Sequence, residues 1–199
     1  MRICAFGDSI MNGTGDPEAL GWIGRAVQPV KARDREVTLY NLGIRRDTSV
    51  DIRRRWRAET EARRVAGAET GLLFSFGVND CVTDPATGRP RVVPEESAAN
   101  AAAILAGAKA LGRVLMVGPG PIADAGVNAR IRALDRRLAA AAEAEGVPYL
   151  PVFDRLADDP VWMAEVARWD GAHPGADGYA AFAALVSAWG AWQGWFAGT

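Results

Sequence analysis

The chain has 199 residues, 49% of them hydrophobic, enough for one well-filled core and slightly long for an average single domain. A net charge of −1 with 24% charged residues gives no polyelectrolyte pull toward nucleic acid or a membrane surface. Cys4 and Cys81 do not form a disulfide framework, nothing resembles a signal peptide, and no stretch approaches a membrane span, so a soluble cytoplasmic domain is expected.

Residues 2–6 form a short apolar run that breaks into Gly7-Asp8-Ser9-Ile10, reading as a strand that ends in a tight turn bearing a serine. Residues 17–32 carry Leu20, Ile23, Val27 and Val30 at helical spacing. A second strand, 37–42, ends in Tyr40-Asn41-Leu42-Gly43. Beyond it, Thr48-x-x-Asp51 resembles a capping box with Asp for Glu, and Ile52 and Trp56 share one helical face. A third strand, 72–76, runs into Gly77-Val78-Asn79-Asp80, followed by a turn-rich stretch, 82–93, read as a rim or lid. Pro94, Glu95 and Glu96 start the next helix; Ile104, Ala108 and Leu111 line its inner face and Gly112 stops it. A strand at 114–117, a helix at 124–145 ended by Gly146, a strand at 148–152 and a final helix over 175–196 complete the chain.

The strand runs lack strict alternation, which suits strands buried on both faces. Alternation of strands with helices predicts right-handed βαβ units and a parallel five-stranded sheet covered on both sides, in one domain spanning 1–199. In such sheets ligands bind beyond the carboxyl ends of the strands. Ser9, Gly43 and Asn79 follow the first three strands, and the segment after the fifth leads to Asp170 and His173. These residues therefore converge on one sheet edge. His173 is the only histidine, three residues after Asp170. A serine nucleophile needs a base to take its proton, and the base needs a carboxylate to fix its tautomer. The N–H of Gly43, the carboxamide of Asn79 and the N–H of Ser9 are candidate donors to an oxyanion. The Gly-x-Ser-x-Gly elbow of α/β-hydrolases is absent.

These four blocks, Gly7-Asp8-Ser9-Ile10, the Gly43 of Asn41-Leu42-Gly43, Gly77-Val78-Asn79-Asp80 and Asp170-x-x-His173-Pro174, resemble those of the SGNH (GDSL-type) hydrolase family and run in its order over nearly the whole chain. The resemblance implies a flavodoxin-like three-layer α/β/α sandwich and ester hydrolysis through an acyl-serine, with neither metal nor cofactor. Ser9 would be the nucleophile, His173 the base and Asp170 its orienter, with Ser9, Gly43 and Asn79 lining the oxyanion hole. One departure is Arg46, which stands where a second glycine is common in the family.

The expected substrate is a small acyl or acetyl ester. A thioesterase or acyltransferase with the same triad is an alternative, and a nucleotide-binding module is another from a different class. The module is disfavoured because Gly13-Thr14-Gly15-Asp16-Pro17-Glu18 lacks the third glycine of G-x-G-x-x-G and no P-loop lysine follows. Arg45 and Arg46, just after Gly43, are candidate substrate-binding residues, with pairing to Asp47 or Asp51 as the plainer role. The other arginines between 53 and 64 read as a solvated helix face. Cys81 reads as packing, as do Trp162, Met163 and Trp169, although these three could also wall an acyl pocket. Trp189, Trp192 and Phe196 read as core or a subunit contact.

Overall fold

The structure, a computed structural model, describes residues 1–33 and 36–197. In chain order the elements are β1 (Arg2–Gly7), α1 (Ser9–Asn12), α2 (Gly21–Lys31), β2 (Thr38–Gly43), α3 (Ser49–Glu61), β3 (Thr70–Ser75), α4 (Val78–Cys81) and α5 (Pro94–Ala108). Then come β4 (Arg113–Val117), α6 (Ala125–Ala144), β5 (Tyr149–Leu150), α7 (Phe153–Ala157), α8 (Pro160–Arg168), α9 (Ala176–Ser187) and α10 (Gly190–Gly194). The five strands form one wholly parallel sheet in the order β2-β1-β3-β4-β5. The central β3 is buried along its entire length, whereas the edge strand β2 is only half-buried.

Two apolar layers cover the sheet. On one face Ile3, Ala5, Leu73 and Leu115 pack under α2, α8 and α9, through Trp22, Ile23, Trp162 and Phe182. On the other, Cys4, Phe6, Phe74 and Met116 pack under α3, α5 and α6, through Ile52, Trp56, Ile104 and Leu134. Successive residues of one strand thus enter opposite cores, which is why the runs are continuously apolar. The result is the expected three-layer α/β/α sandwich.

The capping box at α3 forms: Thr48 Oγ1 accepts the Asp51 N–H, and the Asp51 carboxylate accepts the N–H of Thr48. Gly146 ends the turn after α6 with φ +65°, in the left-handed region open to glycine. Several boundaries differ from expectation, three of them for a clear local reason. α2 starts at Gly21 rather than 17, because the Asp16 carboxylate gathers the N–H groups of Glu18, Leu20 and Gly21 into a loop. β5 shrinks to two residues, flanked by Pro148 and Pro151, which have no N–H to donate. The final helix breaks at Trp189, whose extended ψ of 122° separates α9 from α10. No helix among the described residues is long and apolar enough to cross a membrane.

Candidate active site

β1 delivers its last residue into a crowded corner. A Cβ on Gly7 would lie 2.2 Å from the Ser75 carbonyl oxygen and 2.6 Å from Met11 Cβ, so only glycine lets α1 start this close to the sheet. Asp8 then caps α1: its Oδ1 accepts the Ile10 N–H at 2.9 Å. Ser9 follows as the first residue of that short helix, almost buried at 8% exposure. Gly43 pairs in register with Gly7 across the sheet, and a Cβ on it would lie 2.3 Å from the Asn12 nitrogen.

The partner of Ser9 comes from the far end of the sequence. α8 ends at Arg168, and Gly171, with φ +79°, reverses the chain. Asp170 Oδ1 accepts the N–H groups of Ala172 and His173, both at 3.0 Å, and so closes a small loop on itself. That loop is tied to the post-β4 segment by the Ala123 N–H, which donates to the Gly171 carbonyl at 2.8 Å. His173 Nδ1 meets Asp170 Oδ2 at 2.7 Å and its Nε2 meets Ser9 Oγ at 2.7 Å. Burial opposes the Asp170 charge. The hydrogen bonds from His173 and from the N–H groups of Ala172 and His173 outweigh it and hold the carboxyl below its ordinary value. An ionised Asp170 takes the Nδ1–H, leaving the Nε2 lone pair directed at the Ser9 hydroxyl.

Gly43 and Asn79 open onto the same sheet edge, and both are engaged with neighbours. The Gly43 N–H donates to Asn41 Oδ1 at 3.1 Å. Asn79 Nδ2 donates to the Asp47 carbonyl at 3.0 Å, which uses one of its two amide hydrogens. Asp80, the next residue, is buried and accepts the Ser49 N–H at 2.8 Å.

Arg45 and Arg46 are both exposed, and their plainer partners are taken: Asp47 pairs with Arg55, and Asp51 with Thr48. Arg46 keeps a left-handed backbone, φ +71°, at the place where a glycine is common, and its carbonyl accepts from Arg91 at 2.9 Å. The segment 82–93 is pinned. Thr83 bridges Pro90, the Arg91 N–H donates to the Val82 carbonyl, and Arg130 binds the Cys81 carbonyl. Cys81 is buried, and burial pushes its thiol up to about 12, which leaves it as packing.

Three features escaped the sequence reading. Arg55, read as part of a solvated face, is mostly buried: it binds Asp47 and Glu59, reaches the Gly7 carbonyl and lies over the Phe6 ring. Asp8 is 2% exposed and its Oδ2 has no partner among the described residues. Burial, reinforced by the charges of Asp80 and Asp47, pushes its carboxyl up to about 7. Trp169, grouped with packing residues, is 58% exposed. Trp162 does pack as read, and its indole N–H donates to the Pro121 carbonyl. Trp192 is buried, with Trp189 and Phe196 half-buried against the same core.

A cleft of about 350 Å³ opens beside His173, lined by Gly15, Pro17, Glu165, Arg168 and Trp169 among others. A second cavity of similar size, about 350 Å³, lies between α2 and α10 against Val30, Trp192 and Phe196; neither Ser9 nor His173 lines it. Of the two, only the first is lined by His173.

The model of the GDSL-like Lipase/Acylhydrolase family matches residues 5–181. No curated protein matches the chain. Among solved structures, the chain is similar to Axe2, an acetylxylan esterase from Geobacillus stearothermophilus, with a TM-score of 0.74 and 18% identity over 92% of this chain and 91% of that one. It is equally similar to LAE5, an α/β hydrolase enzyme from the metagenome of Lake Arreo, with a TM-score of 0.74 and 22% identity over 92% of each chain. At these identities the likeness to solved structures is one of fold.

Proposed function

The chain belongs to the GDSL-like lipase/acylhydrolase family, and on that premise we propose that it is a metal-independent serine esterase cleaving small acyl or acetyl esters through an acyl-serine. The observation that supports this most is the pair of 2.7 Å contacts linking Ser9 Oγ, His173 and Asp170. The fold shared with an acetylxylan esterase supports the acetyl group as the acyl part.

In the proposed reaction His173 Nε2 takes the Ser9 proton as Oγ attacks the ester carbonyl carbon. Asp170 stabilises the imidazolium that forms. The N–H groups of Ser9 and Gly43 and the free amide hydrogen of Asn79 receive the oxyanion. One such donor is typically worth about 3–4 kcal/mol. For Gly43 this means exchanging its bond to Asn41 Oδ1 for one to the oxyanion. As the tetrahedral intermediate collapses, the C–O bond to the alcohol breaks and His173 returns the proton to the departing oxygen. Water, deprotonated by the same imidazole, then cleaves the acyl-serine. Nucleophile, base and electrophilic donors are all protein groups, so no step needs a metal.

Treatment with a fluorophosphonate, read by intact-protein mass spectrometry, tests the reading. One phosphonyl adduct on Ser9 is expected, absent in Ser9→Ala and matched by loss of acetate release from p-nitrophenyl acetate. An unlabelled wild type, or undiminished hydrolysis by Ser9→Ala, removes Ser9 as the nucleophile. Activity lost in EDTA and restored by a divalent ion contradicts metal independence.

A further inference from the structure

We propose that Trp169 is the specificity-determining platform on which the alcohol part of the substrate stacks, and that this alcohol is a pyranose sugar. The inference rests on the esterase reading above and adds which half of the ester the cleft receives, and its chemistry.

The direction follows from the proton. Whatever leaves must take its hydrogen from His173 Nε2, so the departing oxygen lies against that nitrogen and the rest of the alcohol extends past the imidazole. The ring centroid of Trp169 is 5.7 Å from that of His173, with the planes tilted at 54°. Both line the same cleft of about 350 Å³. Among the large hydrophobic side chains exposed in the described structure, Trp169 is the most open, at 58%. An indole left in water beside a reactive histidine forgoes burial that most tryptophans obtain.

The exposure is built into the backbone. Trp162 and Val166 lie on the inner face of α8, and one more regular turn would have put residue 169 on that buried stripe. The helix stops at Arg168 instead, and Trp169, with φ −106° and ψ −94°, leaves the helical path. Its ring then rests on the loop after α1. A Cβ on Gly15 would lie 2.6 Å from Trp169 Cζ3, so glycine there leaves room for the indole. The platform is therefore backed on one side and open on the other.

The cleft around it is mixed in character. The Arg168 guanidinium is largely exposed, and Glu165, which holds the N–H groups of Gly175 and Gly178 through Oε2, presents Oε1 3.6 Å from Arg168. A flat apolar ring edged by a guanidinium and a carboxylate matches a pyranose, whose C–H face stacks on indole while its hydroxyls take hydrogen bonds. A flexible alkyl chain would use the ring and leave the charges idle.

The test compares kcat/KM for a mono-acetylated methyl pyranoside, benzyl acetate and ethyl acetate in wild type, Trp169→Ala and Trp169→Phe. Wild type should favour the pyranoside ester over ethyl acetate, and Trp169→Ala should cut that ratio about tenfold, mainly through KM. Trp169→Phe, which keeps an aromatic face and guards against a folding defect, should retain most of the ratio. A ratio unchanged in Trp169→Ala overturns the platform, and a loss confined to benzyl acetate overturns the sugar. Titrating Ser9→Ala with the pyranoside ester separates this proposal from the esterase reading. Movement of the Trp169 indole N–H resonance, assigned by its absence in Trp169→Phe, supports the platform even if wild type hydrolyses nothing. A static resonance overturns the platform even if Ser9 is the nucleophile.

Discussion

The Arg55 guanidinium crosses from α3 to the end of β1 and donates through Nη2 to the Gly7 carbonyl at 3.2 Å, two residues before Ser9. Its Nε binds Asp47, whose carbonyl holds Asn79. One side chain thus ties together the three loops on which Ser9, Gly43 and Asn79 sit. Arg55→Met should cost about 3 kcal/mol or more of stability, because it leaves Asp47 half-buried without its counter-charge. Burial already raises the Asp47 carboxyl, opposed by Arg55. Without Arg55 it rises further, and a raised acid loses stability as pH climbs. The loss should be larger at pH 8 than at pH 5 by urea unfolding, and equal losses would count against the ion pair as its source.

Asp170→Asn should lower kcat/KM by about 10⁴-fold, since an amide facing Nδ1 favours the tautomer whose Nε2 carries the proton and cannot accept from Ser9. Steady-state kinetics on p-nitrophenyl acetate checks this, and an undiminished rate would remove Asp170 as the group that orients His173.

Asn79→Ala should lower kcat about a hundredfold with little change in KM, as expected for a donor used mainly in the transition state. It also removes the bond to the Asp47 carbonyl, so a stability loss of about 0.5–1.5 kcal/mol should accompany it. A change in KM alone would make Asn79 a substrate-binding residue.

Asp8→Asn should stabilise the protein progressively above pH 5. The wild-type carboxyl, ordinarily 3.8, stands at about 7 in the fold. Between these values the unfolded chain releases a proton that the folded state keeps, so wild-type stability falls as pH rises through that window. Asparagine retains the cap to Ile10 and cannot ionise. Asp80 and Asp47, the acidic groups acting on Asp8, remain in both proteins. Urea midpoints measured from pH 5 to pH 8 should diverge, and parallel curves would place the Asp8 proton elsewhere.

Arg45 and Arg46 should favour acyl groups carrying a negative charge. Comparing methyl acetate with methyl hemisuccinate, the Arg45→Ala/Arg46→Ala double variant should lose rate only on the hemisuccinate, and added salt should erode the wild-type preference. Equal losses on both esters would leave the two arginines as surface charge.

Strand positions and the meeting of Ser9 with His173 were legible because each rests on local pattern: apolar runs that end in Gly-Asp-Ser or Gly-x-Asn, and one histidine with an aspartate three residues before it. What stayed hidden depends on rotation or termination. Arg55 differs from Arg53, Arg54 and Arg57 only in the direction it leaves α3, and a run of arginines conceals which one turns inward. Trp169 continues the inward spacing of Trp162 and Val166 on paper, and only the end of α8 at Arg168 puts it in water. The burial of Asp8 needs the closeness of β1 to its neighbours, which a turn motif does not encode.

Ser9 Oγ and His173 Nε2 are 2.7 Å apart in space and 164 residues apart in the chain. At synthesis rates of about 5–20 residues per second, the ribosome adds the histidine roughly 10–30 s after the serine. Until α9 docks beneath the sheet, Ser9 is an ordinary alcohol with no base. Closing so long a loop is repaid only late, when most of the core has condensed. Appearance of hydrolysis during refolding should therefore lag the recovery of secondary structure and report completion of the whole fold.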